Sequence, residues 1–290
     1  MAEPRAVLGV DGGGSTCRVA LLWQGQRHEV IGAGANVTSD FDAALAVLRD
    51  CLAALGERAQ LRPEVLWAVP AYIGLAGVLD SRCAARVAAA LPFATVMVEE
   101  DRPAALAGAL GAGTGCVVSV GTGSFLGRKT SAGTKFIGGH GMVLGDEASG
   151  AWLGRRALAG ALQAADGIVP DTALCISMRD RLGGVTGVID FARSAGAAEF
   201  AALAPEIVTA AEADDALAQG LLAEGAGYIV RGLHALGWRP GEPVCLLGGL
   251  GPRYAPWLAP EILAALVPPR GSALDGALAL AATLAERAER

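Results

Sequence analysis

The stretch VLGVDGGGSTCRVAL, residues 7–21, predicts an apolar strand that ends at an aspartate, a turn of three glycines and a second strand. Glycine adopts positive φ readily and lets backbone N–H groups approach a phosphate closely. The stretch is not a Walker loop, which needs Gly-Lys-Ser/Thr, nor a Rossmann turn, because a strand follows the glycines in place of a helix. A plain glycine-rich hairpin is the structural alternative. We expect phosphate contacts from Gly12, Gly13, Gly14, Ser15 and Thr16.

Asp11 stands at the mouth of the first strand, directly before the glycines. Mg²⁺ keeps much of its hydration in proteins and uses few carboxylates. We therefore expect Asp11 to hold Mg²⁺ through water.

Short strands and helices alternate around this stretch. The pattern predicts a meander, an amphipathic helix capped by Ser39 or Asp40 and stopped by Gly56, and then strand, helix and strand. This order indicates an α/β lobe and not a sandwich or a bundle. The predicted elements are strands at Ala6–Val10, Cys17–Trp23 and His28–Ile31, a helix at Asp40–Leu55, apolar Val65–Leu75, a helix at Ser81–Ala90 and a strand at Ala94–Val98.

The architecture then restarts, with little sequence repeat to support the duplication. We place one lobe at residues 1–108, joined by a carboxyl-terminal helix at 275–290, and the other at 109–274. The second lobe is predicted to hold strands at Cys116–Val120, Phe125–Lys129 and Lys135–Ile137, mostly helix from Glu147 to Gly237 with an interruption near Gly183–Gly187, a strand at Pro243–Leu247 and a last helix at Ser272–Glu289.

A second glycine turn, VSVGTGSFLG at residues 118–127, again follows an apolar strand and carries hydroxyl side chains. Two such hairpins that face each other would clamp a polyphosphate from both sides. A purely structural turn is as good an account of the second motif alone. The expected contacts are Gly121, Thr122, Gly123 and Ser124.

Asp101 follows a predicted strand in VMVEEDRPAAL, and Pro103 opens the next helix. Ligands of α/β sheets collect at the carboxyl ends of strands. A carboxylate there can accept the proton of an attacking hydroxyl in phosphoryl transfer. Plain helix capping is the alternative role for Asp101.

Two further glycine-rich segments are candidates for ligand contacts. GGHGMVLGDEASG, residues 138–150, suits closure around sugar hydroxyls, although Glu147 alone could be first-turn stabilisation of a helix. No second metal ligand stands near His140, so a metal role for it is not favoured. LLGGLG, residues 246–251, could face adenine and ribose.

Taken in order, these motifs resemble the BadF/BadG/BcrA/BcrD-type ATPases, and within them the N-acetylglucosamine and glucosamine kinases. The resemblance extends over nearly the whole chain, including ADGIVPDTALC at 165–175 and SALDGAL at 272–278. The family belongs to the actin, hexokinase and heat-shock-chaperone superfamily. The resemblance therefore implies an α/β fold of two ribonuclease-H-like lobes with a nucleotide cleft between them, ATP and Mg²⁺ as cofactors, and transfer of phosphate to the C6 hydroxyl of glucosamine or N-acetylglucosamine.

The same resemblance assigns roles to individual residues. Asp101 takes the place of the catalytic base and also contacts the sugar, while Gly248, Gly249 and Leu250 form the adenosine motif. The implied sugar contacts are Asn36, Asp101, Gly139, His140, Asp146 and Glu147. Two positions depart from the family pattern: Glu100 stands where Asn or Thr is usual, and His140 where an aromatic residue is common. With Glu100 among the acids at the sugar, the sequence favours a cationic C2 amine, and hence glucosamine.

Composition narrows the partners. A net charge of −6 without a Lys/Arg cluster does not favour nucleic acid or anionic lipid. The uncharged stretch 104–127 is broken by glycines and predicts no membrane span, and the start of the chain has no signal-peptide layout. The six scattered cysteines fit free thiols in a reducing cytosol, and a homodimer stays open. The alternatives are an activase-like ATPase of the same family, which needs suitably spaced cysteines, and a non-catalytic sugar sensor.

Overall fold

The computed structural model describes residues 6–288, which form two compact units. The first unit comprises the chain up to Gly113 and again from Pro269 onward, and the second is Thr114–Pro268. The chain thus leaves the first unit after Gly113, where the sequence places the boundary after residue 108, and returns at Pro269. Residues 289 and 290 of the expected terminal helix lie outside the described residues.

The first unit contains a five-stranded sheet in the order β3-β2-β1-β4-β5. The first three strands form the predicted antiparallel meander, whereas β4 and β5 run parallel to β1. The carboxyl ends of β1, β4 and β5 therefore share one edge, where the loops after them meet. The strands are β1 (Val7–Gly12), β2 (Thr16–Trp23), β3 (Gln26–Ala33), β4 (Ala71–Leu75) and β5 (Val96–Glu99).

Helices cover both faces of this sheet. An apolar core that includes Leu48, Leu52 and Leu55 forms on one face, and Tyr72, Ala104 and Ala277 are buried together on the other. The helices are α1 (Phe41–Arg58), α2 (Pro63–Ala68), α3 (Ser81–Ala89), α4 (Arg102–Leu110) and the carboxyl-terminal α12 (Ala273–Ala288).

The predicted end of α1 at Gly56 is wrong, because the helix continues to Arg58. Gly56 is buried, and a Cβ atom there would lie 3.5 Å from a methyl of Leu66. The chain turns away two residues after Arg58, at Gln60, whose φ of 55° is left-handed. The N–H of Gln60 donates to the Glu57 carbonyl and that of Leu61 to the Gly56 carbonyl, the pattern of a Schellman motif. The cap at the other end is Asp40, which accepts from the Ala43 N–H at 2.9 Å.

The apolar run Val65–Leu75 is not one strand. Pro63 stands at the first position of α2, where its fixed φ favours a helix, and only the part from Ala71 pairs as β4. Apolar content alone does not separate a short buried helix from a buried strand.

The second unit repeats the plan with a four-stranded sheet in the order β8-β7-β6-β9. Its meander is antiparallel and β9 runs parallel to β6, as β4 does to β1. The internal duplication of architecture is therefore confirmed. The strands are β6 (Gly115–Val120), β7 (Ser124–Thr130), β8 (Gly133–Gly138) and β9 (Val244–Leu247).

Helices make up most of the rest of the second unit and share one large core with its sheet. Gly183, with a φ of 87°, separates α6 from α7, as the predicted interruption requires. No helix within residues 6–288 is long and apolar enough to cross a membrane. The helices are α5 (Gly150–Ala165), α6 (Ala173–Leu182), α7 (Gly184–Ser194), α8 (Ala197–Ala201), α9 (Ala204–Glu212), α10 (Ala216–Ala235), a 3₁₀ helix (Gly251–Trp257) and α11 (Pro260–Leu263).

Candidate functional site

The first glycine turn is narrow and lies at the carboxyl edge of its sheet. The Gly13 N–H donates to the Thr16 carbonyl at 2.9 Å, which closes the turn. A Cβ on Gly34 would lie 2.2 Å from the Gly14 carbonyl oxygen, so the loop after β3 packs directly against the turn. Gly14 itself is exposed and has open space where a Cβ would stand. The turn therefore offers its backbone to a ligand.

Asp11 pairs with Arg18 across the β1–β2 hairpin, a partner that the sequence analysis missed. The two are register neighbours, and an Arg18 guanidinium nitrogen lies 3.5 Å from an Asp11 carboxylate oxygen. Burial raises the pKa of Asp11, and Arg18 offsets part of that rise. Counting outward from the hairpin turn would have identified Arg18.

The carboxylate of Asp101 is not used to cap a helix. Asp101 precedes α4 but makes no side-chain capping hydrogen bond, so the capping alternative is wrong. Burial and then the negative charge of Asp11 raise the pKa of Asp101 to about 6. Gly74 pairs with Asp11 across the sheet, and a Cβ on Gly74 would lie 3.4 Å from the Asp101 Cα. The loop that carries Asp101 thus packs over a strand position without a side chain, next to Asp11.

The two acids that precede Asp101 are both engaged. The Tyr72 hydroxyl donates to Glu99 at 2.6 Å, and the Arg102 Nε donates to Glu100 at 2.7 Å. Glu100 and Arg102 form a partly buried ion pair. The charge of Glu100 raises the pKa of Asp101 and that of Arg102 lowers it, so the two partners act on Asp101 in opposite directions.

Asn36 lies in the loop after β3, at the same edge. Its side-chain oxygen accepts from the backbone N–H groups of Thr38 at 2.9 Å and Ser39 at 3.3 Å. Its amide nitrogen makes no hydrogen bond with any residue from 6 to 288, so its two donors are left for a ligand. Gly77 is needed here, because its φ is 86° and a Cβ would lie 2.3 Å from the Asn36 oxygen.

In the second unit the GTGS turn is tied to the start of α5. The N–H of Gly150 donates to the Gly121 carbonyl at 2.8 Å, and the N–H of Ala151 to the Thr122 carbonyl at 3.2 Å. The buried Ser124 hydroxyl donates to the Glu147 carbonyl at 2.6 Å. Ser124 thereby fixes the turn, and its single hydroxyl proton is already in use.

The GGLG turn lies against the GTGS turn, because β6 and β9 are parallel neighbours that end at one edge. Gly248 has a φ of 77°, and a Cβ there would lie 2.2 Å from the Val120 carbonyl oxygen. The same carbonyl accepts from the Leu250 N–H at 3.1 Å. Gly248 and Gly249 are exposed at this edge and Leu250 is partly so.

The loop of residues 138–150 joins this edge through Asp146. The Asp146 carboxylate accepts from the Gly141 N–H at 3.2 Å and would lie 2.7 Å from a Cβ on Gly123. Asp146 is 8% exposed with a φ of 56°, and its burial raises its pKa. Asp146 therefore links the 138–150 loop to the GTGS turn.

Three other residues of the 138–150 loop were predicted to contact the sugar. Gly139 and His140 are exposed, and the Gly139 N–H donates to the Ser124 carbonyl at 2.9 Å. Glu147 precedes α5, which begins at Gly150 with Ser149 as its cap. The alternative that Glu147 merely stabilises a first helical turn is therefore wrong.

Tyr228 of α10 approaches the same loop and was not predicted. A Cβ on Gly138 would lie 2.9 Å from the Tyr228 hydroxyl. Burial raises the pKa of Tyr228, and the charges of Glu147 and Asp146 add to the rise. The hydroxyl has no hydrogen-bond partner among residues 6–288. A helix residue that contacts a loop residue 90 positions earlier leaves no local signal in the sequence.

Asp11 and Asp101 fit a hydrated magnesium ion. The negative charge of Asp11 disfavours ionisation of Asp101, and a bound cation would offset that charge. Arg18 pairs with Asp11 at 3.5 Å and offsets part of it. No cluster of three or more His, Cys, Asp or Glu side chains within the described residues forms an all-protein metal site. Mg²⁺ does not require one, because it retains water ligands.

The sequence and the structure both match known proteins. The sequence profile of the BadF/BadG/BcrA/BcrD ATPase family matches residues 8–255. The glucosamine kinase GspK of Vibrio cholerae is 30% identical over 281 residues, which cover 94% of this chain and 95% of that protein. The crystal structure of a proposed N-acetylglucosamine kinase from Chromobacterium violaceum gives a TM-score of 0.85 at 31% identity, over 96% of this chain and 99% of that one. A similarly described protein from Porphyromonas gingivalis gives 0.72 at 21% identity, over 94% and 97%, and supports the fold alone.

Proposed function

The chain belongs to the BadF/BadG/BcrA/BcrD ATPase family, and from that premise we propose that it is an ATP-dependent sugar kinase that acts on an amino sugar. The observation that carries the proposal is Asp101, a carboxylate that caps no helix, sits beside Asp11 and has its pKa raised to about 6. A base of that pKa is ionised at neutral pH and still able to accept a proton. The two relatives described as glucosamine and N-acetylglucosamine kinases support the substrate class.

Asp101 acts on the sugar hydroxyl in this proposal. The hydroxyl oxygen attacks the γ-phosphorus of ATP, the bond from that phosphorus to the β,γ-bridging oxygen breaks, and ADP leaves. Asp101 takes the hydroxyl proton, and the bound sugar becomes a phosphate monoester. Because the transition state of phosphoryl transfer is loose, positioning and charge stabilisation contribute more than base strength.

We assign the phosphates to backbone N–H groups of the two glycine turns. The open backbone at Gly14 suits an approaching phosphate oxygen. Asp11 would hold Mg²⁺ through water, and the ion when bound neutralises phosphate charge. The full assignment is Gly12, Gly13, Gly14, Ser15 and Thr16 in the first turn, Gly121, Thr122, Gly123 and Ser124 in the second, with Ser124 acting through its backbone, and Gly248, Gly249 and Leu250 for adenosine.

We assign the sugar to Asn36, Asp101 and the 138–150 loop. The unpaired amide N–H groups of Asn36 can donate to sugar hydroxyls, and Gly139, His140, Asp146 and Glu147 complete the assignment. The substrate we propose is glucosamine, phosphorylated at the C6 hydroxyl. Asp146 and Glu147 supply negative charge toward a cationic C2 amine. Position 140 is a histidine, so it offers no large aromatic side chain to pack on the methyl group of an acetamide.

The activase-like alternative loses support from the cysteines. Cys17, Cys51, Cys116, Cys175 and Cys245 are buried, and only Cys83 is partly exposed. An iron–sulfur cluster held between two subunits by a pair of cysteines from each needs two accessible cysteines per subunit. Only Cys83 is accessible here, so the second cysteine of the pair is missing. The sugar-sensor alternative is weakened because a sensor has no use for a base whose pKa is raised.

The direct test is a coupled ADP-release assay with glucosamine, N-acetylglucosamine, glucose and N-acetylmannosamine. Sugar-dependent ADP release that is highest with one of the amino sugars supports the proposal. ADP release that is the same with and without sugar supports the activase-like ATPase, and no release with any sugar supports the sensor.

A further inference from the structure

A cavity opens in the first unit at the end of the sheet opposite to Asp11. It has a volume of about 660 Å³ and lies where the β2–β3 turn meets the end of α1 and the start of α2. A volume of this size is typical of small-molecule sites. The lining residues are Trp23, Gln24, Gln26, His28, Arg58, Ala59, Gln60, Leu61, Arg62 and Val65.

The ionisable side chains that line this cavity are two arginines and a histidine. Arg58, Arg62 and His28 take part in no ion pair or side-chain hydrogen bond with residues 6–288, and no carboxylate lines the cavity. Arg58 alone has a structural explanation, since it lies in the last turn of α1, where a cation is favoured. That explanation does not extend to Arg62, which precedes α2, or to His28 on β3. In a chain of net charge −6, this cavity thus brings together two arginines and a histidine with no carboxylate in its lining.

The rest of the lining suits a ring-bearing ligand. Trp23 and Leu61 are partly buried and pack against the core, so the indole is held as a fixed wall. An aromatic face of this kind stacks on a planar or sugar ring. Gln24, Gln26 and Gln60 are exposed on the rim and can each donate and accept hydrogen bonds to hydroxyl groups.

We propose that this cavity binds a small phosphate monoester that carries a ring, with Arg58 and Arg62 on the phosphate and Trp23 against the ring. Guanidinium groups match phosphate oxygens with paired, charge-assisted hydrogen bonds. The ring belongs either to a sugar or to a nucleoside. This site is independent of the kinase proposal, because it shares no residue with it.

Binding of three probes tests the site: inorganic phosphate, glucose 6-phosphate and AMP. Each is titrated by calorimetry into the full-length protein with ADP and glucosamine present at saturating concentrations, so that the first site is occupied. The variant R58Q/R62Q removes both guanidinium groups. The matched control is R82Q/R193Q, which removes the same charge from two exposed arginines outside the cavity. Trp23→Phe reports whether any change in tryptophan fluorescence arises at the cavity.

We expect glucose 6-phosphate or AMP to bind more tightly than inorganic phosphate, and the preferred monoester identifies the ring. R58Q/R62Q should weaken that binding at least about tenfold, while R82Q/R193Q leaves it within about twofold. The fluorescence change should vanish in Trp23→Phe. Three results would overturn the proposal: no binding of any probe, equal weakening by both double variants, or equal affinity for inorganic phosphate and both monoesters.

Discussion

Asp11 raises the pKa of Asp101: burial of the Asp101 carboxyl group and, second, the negative charge of Asp11 bring that pKa to about 6. The relationship exists because β1, β4 and β5 are parallel and Gly74 has no side chain to separate the two acids. A buried carboxylate with a raised pKa beside a second acid is a candidate for proton transfer.

The pH dependence of kcat/KM follows from this pKa. Asp101 must be ionised to accept a proton, so kcat/KM for glucosamine should rise as the pH is raised through about 6 and then level off until the C2 amine loses its proton. Asp11→Asn should move this rise to lower pH, because it removes the second largest cause of the shift. A rise centred at the ordinary Asp value of 3.8 in the unmodified protein would contradict the assignment.

The free energy of unfolding should also depend on the ionisation of Asp101, but it should fall with rising pH where kcat/KM rises. The pKa of Asp101 is higher when folded than when unfolded, so the folded state binds more protons between pH 3.8 and about 6 and loses stability as the pH rises through that window. Asp101→Asn removes this loss. The Tm of Asp101→Asn minus the Tm of the unmodified protein should therefore be larger at pH 8 than at pH 4, as measured by calorimetry. Glu261→Gln, on the exposed side of α11, serves as a control and should show no such difference.

Asp11→Ala should weaken the use of MgATP while glucosamine binding remains measurable by calorimetry. The reason is that Asp11 is assigned to the hydrated magnesium ion and not to the sugar. Arg18→Gln is the useful comparison, since it removes the partner of Asp11 without removing the carboxylate, and should retain MgATP use. Equal loss of both ligands in folded Asp11→Ala protein would indicate a structural role.

The preference at C2 depends on the charge of the 138–150 loop. A desolvated opposite charge within a few ångströms contributes roughly 1–3 kcal/mol, so kcat/KM for glucosamine should exceed that for N-acetylglucosamine about tenfold. Glu147→Gln should reduce the ratio, and raising the pH until the amine loses its proton should reduce it further. A tenfold preference for N-acetylglucosamine would show that Asp146 and Glu147 do not select a cationic C2 amine.

Much of the fold was predictable because its signals are local. The alternation of the meander and the switch to helical patterns identify both lobes, and Asp101 stands out as an acid between a strand and Pro103. The errors arise where packing overrides local signals. The helix α1 does not end at Gly56, which stays helical and is buried, and Gln60 takes the left-handed position in its place.

The sequence motifs identify which residues belong to the candidate site, but they do not predict which side chains pair with one another. The pairing of Arg18 with Asp11, of Arg102 with Glu100 and of the Ser124 hydroxyl with the Glu147 carbonyl all depend on how the chain folds back. Tyr228 is the clearest case, because α10 approaches the 138–150 loop from far along the chain. Glycine motifs locate the turns, but neither the burial nor the pKa of a carboxylate can be read from them.

The most direct test is sugar-dependent ADP release by the unmodified protein and by Asp101→Asn, with both proteins shown to be folded. We predict that glucosamine stimulates ADP release and that Asp101→Asn lowers kcat on the order of 10²-fold or more while KM changes little, because the base acts only on the reacting hydroxyl. Near-normal kcat in Asp101→Asn, or ADP release that no amino sugar stimulates, would contradict this prediction.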